Sequence, residues 1–105
     1  MLINKSGYSK DDIVSFKLVN GDEIVAKIVE INDNNYVISK PTTAMPSARG
    51  LGLIQSLFTC DLEDAMTLEK QHVMLHALTQ NDVKNHYIQT TTGIQPVSAG
   101  NKIIT

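Results

Sequence analysis

Cysteine is nearly absent from this chain of 105 residues. Cys60 is the one thiol, so no disulfide can form within the chain, which suits a reducing compartment better than a secreted protein. No stretch approaches the ~20 consecutive apolar residues of a membrane span. The opening Met1-Leu2-Ile3-Asn4-Lys5 also lacks the apolar run of about 7–15 residues that a signal peptide carries. These absences predict a soluble, cytoplasmic protein with no membrane partner. Basic residues are scarce too. There are nine Lys and Arg against eleven Asp and Glu, for a net charge of −2, and Arg49 is the lone arginine. The lysines are scattered, so a broad cationic surface for nucleic acid is excluded, and any nucleic-acid partner must use a local site that an oligomer multiplies by symmetry. No Gly-rich phosphate loop and no nucleophile–base pairing is visible, which argues against catalysis.

Apolar residues make up 42% of the chain and charged residues 19%, a globular composition sufficient for one compact domain. Period-two patterning dominates. In Ile13-Val14-Ser15-Phe16-Lys17-Leu18-Val19, the residues Val14, Phe16 and Leu18 fall on one face of a strand. Asn20-Gly21 follows and predicts a hairpin with a type I′ turn. The return strand, Glu23 to Ile31, is apolar on both faces, as in a long bent strand of a curling sheet. Asn32-Asp33-Asn34-Asn35 is a second turn, and Tyr36 to Lys40 a third strand that Pro41 is expected to stop. A loop from Pro41 to Gly50 is then predicted, with an apolar strand over Leu51–Thr59 and an acidic turn over Cys60–Asp64. Met66–Glu69 and Val73–Leu78 alternate again on either side of Lys70-Gln71-His72. One helix is predicted, over about Asn81–Thr90, capped by Thr79 or Asn81, with Val83, Tyr87 and Ile88 as its apolar stripe and Gly93 as its stop.

The segment from Ile13 through Asn20-Gly21 to Ile28 resembles the first signature of the Sm, Sm-like and bacterial Hfq family: strand, Asn-Gly turn, long bent second strand. Ala26 stands where the family carries a glycine. Leu68-Glu69-Lys70-Gln71-His72-Val73-Met74 is similar to the second signature, with Gln71-His72 at the place of the lysine–histidine pair of the Hfq branch. The similarity covers residues 12–40 and 66–78, and the order of parts also resembles small Sm-like proteins of tailed phages of marine cyanobacteria. The resemblance implies a mainly β fold: a small five-stranded, strongly bent antiparallel Sm-like barrel, here with a short C-terminal helix. Combined with the residue patterns, it gives one domain: an arm over 1–11, a barrel over 12–78 interrupted by an insertion at 41–64, a helix over 79–92 that departs from the family's N-terminal one, and a tail over 93–105. It further implies a homo-oligomeric ring, roughly five to seven subunits, closed by pairing of the fourth and fifth strands of neighbours, which also satisfies their open edges.

By the same resemblance, the partner is single-stranded RNA, with DNA as the alternative, and the role lies in nucleic-acid processing or stability. Asn35 would hydrogen-bond a base edge and Tyr36 would stack on it. Gln71 and His72 would complete the pocket, with Lys70 near phosphate. Stacking on an aromatic contributes about 1–3 kcal/mol per base, enough for a ring of modest sites. Read from the residues alone, Asn32–Asn35 is an ordinary turn and Tyr36 a half-buried strand residue. No cofactor is expected. A metal site from His72, His76, His86 and Cys60 is disfavoured, because His72 and His76 would lie about 13 Å apart along one strand. Asp61, Glu63 and Asp64 read as a solvated turn, and Cys60 as a small, partly buried side chain. The competing function is a ring-shaped structural or assembly protein that binds no nucleic acid, which the low basic content favours.

Overall fold

The computed structural model describes residues 7–92. Among these residues, six strands precede one helix: β1 (Ile13–Leu18), β2 (Glu23–Ile31), β3 (Asn35–Ser47), β4 (Gly50–Gln55), β5 (Met66–Glu69), β6 (Val73–Leu78) and α1 (Asn81–Thr91), with a 3₁₀ turn at Lys70–His72 between β5 and β6. All pairings are antiparallel, in the order β4-β3-β2-β1-β6, and β5 pairs with the first half of β3. The fold is mainly β, as expected, but has six strands rather than five. The sheet is open rather than a closed barrel, because β5 and β6 end on separate edges and do not pair with each other. The expected N-terminal arm and C-terminal tail lie largely outside the described residues, as does Gly93.

The β1–β2 connection departs from the expected type I′ turn. Gly21 has a positive φ of 96°, whereas Asn20 does not. The Gly21 amide donates to Leu18 O at 2.9 Å and the Leu18 amide to Asp22 O at 2.8 Å. That is the three-residue alternative, a type I turn closed by a left-handed glycine. The Asn20 side chain accepts from the Asp22 amide at 2.9 Å, a local bond that holds asparagine in the turn without left-handed backbone.

Pro41 does not end the third strand. β3 continues to Ser47 and turns into β4, so most of the expected loop is a hairpin. The first half of β3, Asn35–Ile38, pairs with β5; the second, Thr42–Ser47, pairs with β4. Between them the register against β2 slips, from Lys27↔Ser39 to Val25↔Thr42. Lys40 absorbs this bulge with φ 53°. Left-handed backbone is unfavourable by about 1–2 kcal/mol for a residue with a Cβ, and a following proline disfavours helical backbone further. A bulge is one of the few places where a strand tolerates a proline, since the ladder is already broken there.

The sheet is apolar on both faces. Val14, Phe16, Ile24, Ala26, Ile28, Tyr36 and Ile38 form one cluster, with Leu18, Met66, Leu68 and Val73 against it. Ile13, Val25 and Leu53 point the other way and are covered by Tyr87 of α1, with Val83 beside it. This explains why β2 reads as apolar on both sides. Ala26, fully buried, lies at the register slip that bends the strand.

The helix keeps its expected place and gains a different cap. The Gln80 side chain accepts from the Asp82 amide at 3.0 Å, while the Thr79 hydroxyl is taken by Ser15 Oγ at 2.7 Å. Tyr87, 1% exposed, donates its hydroxyl to Lys40 O at 2.7 Å, with Ser39 O 3.3 Å away. One side chain therefore ties α1 to the bulge in β3. Burial holds the Tyr87 hydroxyl pKa well above its ordinary value of 10.

Replacing Tyr87 with Phe leaves these carbonyls without their donor and is expected to lower stability by about 1–3 kcal/mol in chemical denaturation. The folded-state pKa is raised, so the protonated phenol contributes its stability fully below pH 10 and loses it as pH rises beyond that value. Wild-type melting temperature should fall above pH 10, and the Tyr87→Phe profile should fall less steeply.

Candidate functional site

Two polar turns meet at one edge of the sheet because β3 and β5 are paired in register. Asn35 opens β3 and lies opposite Glu69, the last residue of β5. The chain then enters the Lys70–His72 turn, whose first amide, from Lys70, donates to Asn34 O at 2.9 Å. Asn34, Glu69, Lys70 and Gln71 enclose a polar cleft of about 290 Å³. Asn35 is positioned beside it: its side-chain oxygen accepts from Asn32 Nδ2 at 2.9 Å, and its carbonyl accepts from the Asn32 amide at 2.9 Å. The turn is thus held by its own side chains, and none of its residues uses left-handed backbone.

The five residues expected to form the site are near one another in the fold but differ in role. Gln71 lines the cleft and is exposed. His72 is exposed as well but does not line it; the His72 carbonyl accepts from the Val19 amide at 2.9 Å and ties this turn to the β1–β2 turn. Lys70 bridges two environments, lining the cleft while its Nζ stands 5.2 Å from the centre of the Tyr36 ring. Such a cation over an aromatic face is attracted by the ring quadrupole.

Tyr36 is 6% exposed, more buried than the half-buried strand residue expected from its surroundings. Its ring packs on Phe16 with centroids 5.0 Å apart and on His76 at 6.2 Å. With Lys70 over it, the ring is a core aromatic, and a base would reach it only if Lys70 swung away. Burial raises its pKa above the ordinary tyrosine value. His76 also accepts or donates at 2.7 Å to the Tyr8 hydroxyl, and Tyr8, whose pKa is raised first by burial and then by Tyr36, completes an aromatic group along this face. The sequence pattern does not single out Tyr8 or Glu69; it offers His76 only as a disfavoured metal ligand and Asn34 only as part of the Asn32–Asn35 turn. Asn34 and Glu69 become evident once Asn35 is set opposite Glu69, a register that the two turns' spacing alone does not state.

The remaining candidates separate clearly. Among the described residues no group of three or more His, Cys, Asp or Glu is placed to hold a metal ion. Cys60 is exposed rather than partly buried. Asp61 and Glu63 belong to a tight turn in which the Glu63 amide donates to Asp61 Oδ1 at 3.0 Å. No helix among the described residues is long and apolar enough to cross a membrane.

The cleft offers amide groups, one carboxylate and one ammonium, a set suited to hydrogen bonding a heterocycle edge. Truncating Tyr36 to Ala is expected to cost about 3–5 kcal/mol of folding stability, the loss typical of a buried aromatic, measured by denaturant titration. A loss of less than about 1 kcal/mol would show that the ring is not part of the core. No family model matches the chain, and the search of curated proteins likewise found no match.

Proposed function

We propose that this chain forms a homo-oligomeric ring of Sm-like subunits that binds single-stranded RNA at the paired polar turns and carries out no covalent chemistry. The observation that carries the reading is the convergence of the Asn32–Asn35 and Lys70–His72 turns on one cleft. Residues 35 places apart in sequence supply the amide and cationic groups at one edge of the sheet. Amides of Asn and Gln match the donor–acceptor edges of bases, and single-stranded RNA presents those edges unpaired. In a ring, each subunit repeats this cleft around one axis, which offsets the modest affinity of one acidic subunit.

The edges support self-association. Every residue from Met74 to Leu78 in β6 is exposed, among them Met74, Leu75 and Leu78 at 59–65% exposure. A strand apolar on both sides whose edge is unpaired among the described residues is a template for another strand, and β5 has an edge that is likewise unpaired among them. Pairing β6 of one subunit with β5 of the next would close a ring of roughly five to seven copies.

A second reading, an assembly ring without nucleic acid, is favoured by Glu69, whose carboxylate lines the cleft beside Lys70, and by the net charge of −2. Titration of a labelled single-stranded oligoribonucleotide decides between them. Wild type should bind, and Gln71→Ala together with His72→Ala should weaken binding roughly tenfold or more, the scale of one lost base contact. Both positions are exposed, so the variants should melt like wild type. Equal affinity in the variant, or no binding by wild type, would leave the assembly reading.

A further inference from the structure

A second cleft lies on the face of the sheet that α1 covers. It encloses about 350 Å³ and is lined by Lys27 of β2, Lys40 of the β3 bulge and Lys84 of α1, with apolar Ile13 and Ile88 nearby. Three of the nine basic residues of an acidic chain are thus gathered around one concavity. The gathering follows from the fold: Lys27 alternates with Ala26 and Ile28 and so points away from the main cluster, towards the helix.

Backbone strain concentrates here as well. Asp11 and Lys40, with φ of 75° and 53°, are the two non-glycine residues with left-handed backbone among those described, and both line this cleft. Strained backbone persists where surrounding structure imposes it and gathers at ligand sites. The Lys40 side chain is only 14% exposed, yet its one ion pair among the described residues is with Glu63 Oε2 at 3.6 Å, and Glu63 is 70% exposed. A charge-assisted contact is about 2.7–2.9 Å long and an ammonium has three donors, so this pair only partly serves the Lys40 charge. Lys27 and Lys84 make no ion pair among the described residues. The Tyr87 hydroxyl is already committed to Lys40 O. Asp11 is the one carboxylate on the lining, which sets a local balance of three cations to one anion before Glu63 is counted.

We propose that this cleft binds a phosphate group through Lys27, Lys40 and Lys84, with the phosphate replacing Glu63 as the partner of Lys40. The site is separate from the polar turns and does not depend on them. The phosphate belongs either to a free nucleotide or polyphosphate or to the backbone of a nucleic acid, and the two sources share the same chemistry.

The test is calorimetric titration of the full chain at low salt with pyrophosphate and, separately, with a short oligouridylate. Each probe is titrated into wild type, the Lys27→Gln/Lys84→Gln double variant, and Lys17→Gln as a control outside the cleft. Melting temperatures verify that each variant is folded. Wild type should bind pyrophosphate, and the double variant should bind it at least about tenfold more weakly, as expected for loss of charge-assisted bonds. Lys17→Gln should match wild type. If oligouridylate shows the tenfold loss and pyrophosphate does not bind wild type, the phosphate is that of a nucleic-acid backbone. Failure of both probes to bind wild type, unchanged affinity in the double variant, or an equal loss in Lys17→Gln overturns the proposal. Because pyrophosphate has no base, this arm stands even if the polar turns bind no RNA.

Discussion

β3 hydrogen-bonds to β5 through its first half and to β4 through its second, and it changes partner at Lys40-Pro41. The architecture hangs on that change. The bulge turns the strand so that β5 can lie along Asn35–Ile38 and set Asn35 against Glu69. It also leads the later half of β3 out into the β3–β4 hairpin, whose exposed apolar residues include Met45, Leu51 and Ile54. A left-handed lysine before a proline is unfavourable in isolation, and tertiary contacts maintain it. Tyr87 donates to the Lys40 carbonyl and Glu63 faces the Lys40 ammonium. Helix α1 therefore covers an apolar face and also braces the bend that organises the sheet.

The same bend decides where the chemistry lies. On the main-cluster face it brings two polar turns to one edge, where amides and Lys70 surround a small cleft. On the helix face it carries Lys40 towards Lys27 and Lys84. A chain of net charge −2 cannot attract a polyanion over its whole surface, so both clefts concentrate a few donors locally. Symmetric repetition of such sites is the physical route by which weak contacts would give useful affinity.

Much of the strand pattern is legible in the sequence, because half-buried strands alternate with period two. β2, β5 and β6 occupy the expected residues, and the interruption at Lys70–His72 is the 3₁₀ turn. Three features are not legible. Pro41 reads as a strand end under the rule that proline breaks a ladder, and the rule yields at a bulge, where the ladder is already broken. Closure of the sheet depends on how far β5 and β6 stand apart, a distance that periodicity does not encode. The helix cap shifted to Gln80 because Ser15, far away in sequence, claims the Thr79 hydroxyl. For the candidate site, the joint pattern of two polar turns was readable, and the turns do converge. The burial of Tyr36 was not, since the covering groups, Phe16, His76 and Lys70, come from three other segments.

Edge-to-edge association of subunits would use the β5 and β6 edges, which the described residues leave unpaired. Light scattering coupled to size exclusion measures the native mass of the purified chain without reference to any ligand. A ring should run as a single species of roughly five to seven times the 11.5 kDa chain mass. Charged residues at Met74 and Leu75 should dissociate that ring into folded monomers. A wild-type protein that elutes as a stable 11.5 kDa monomer at all concentrations would contradict ring formation.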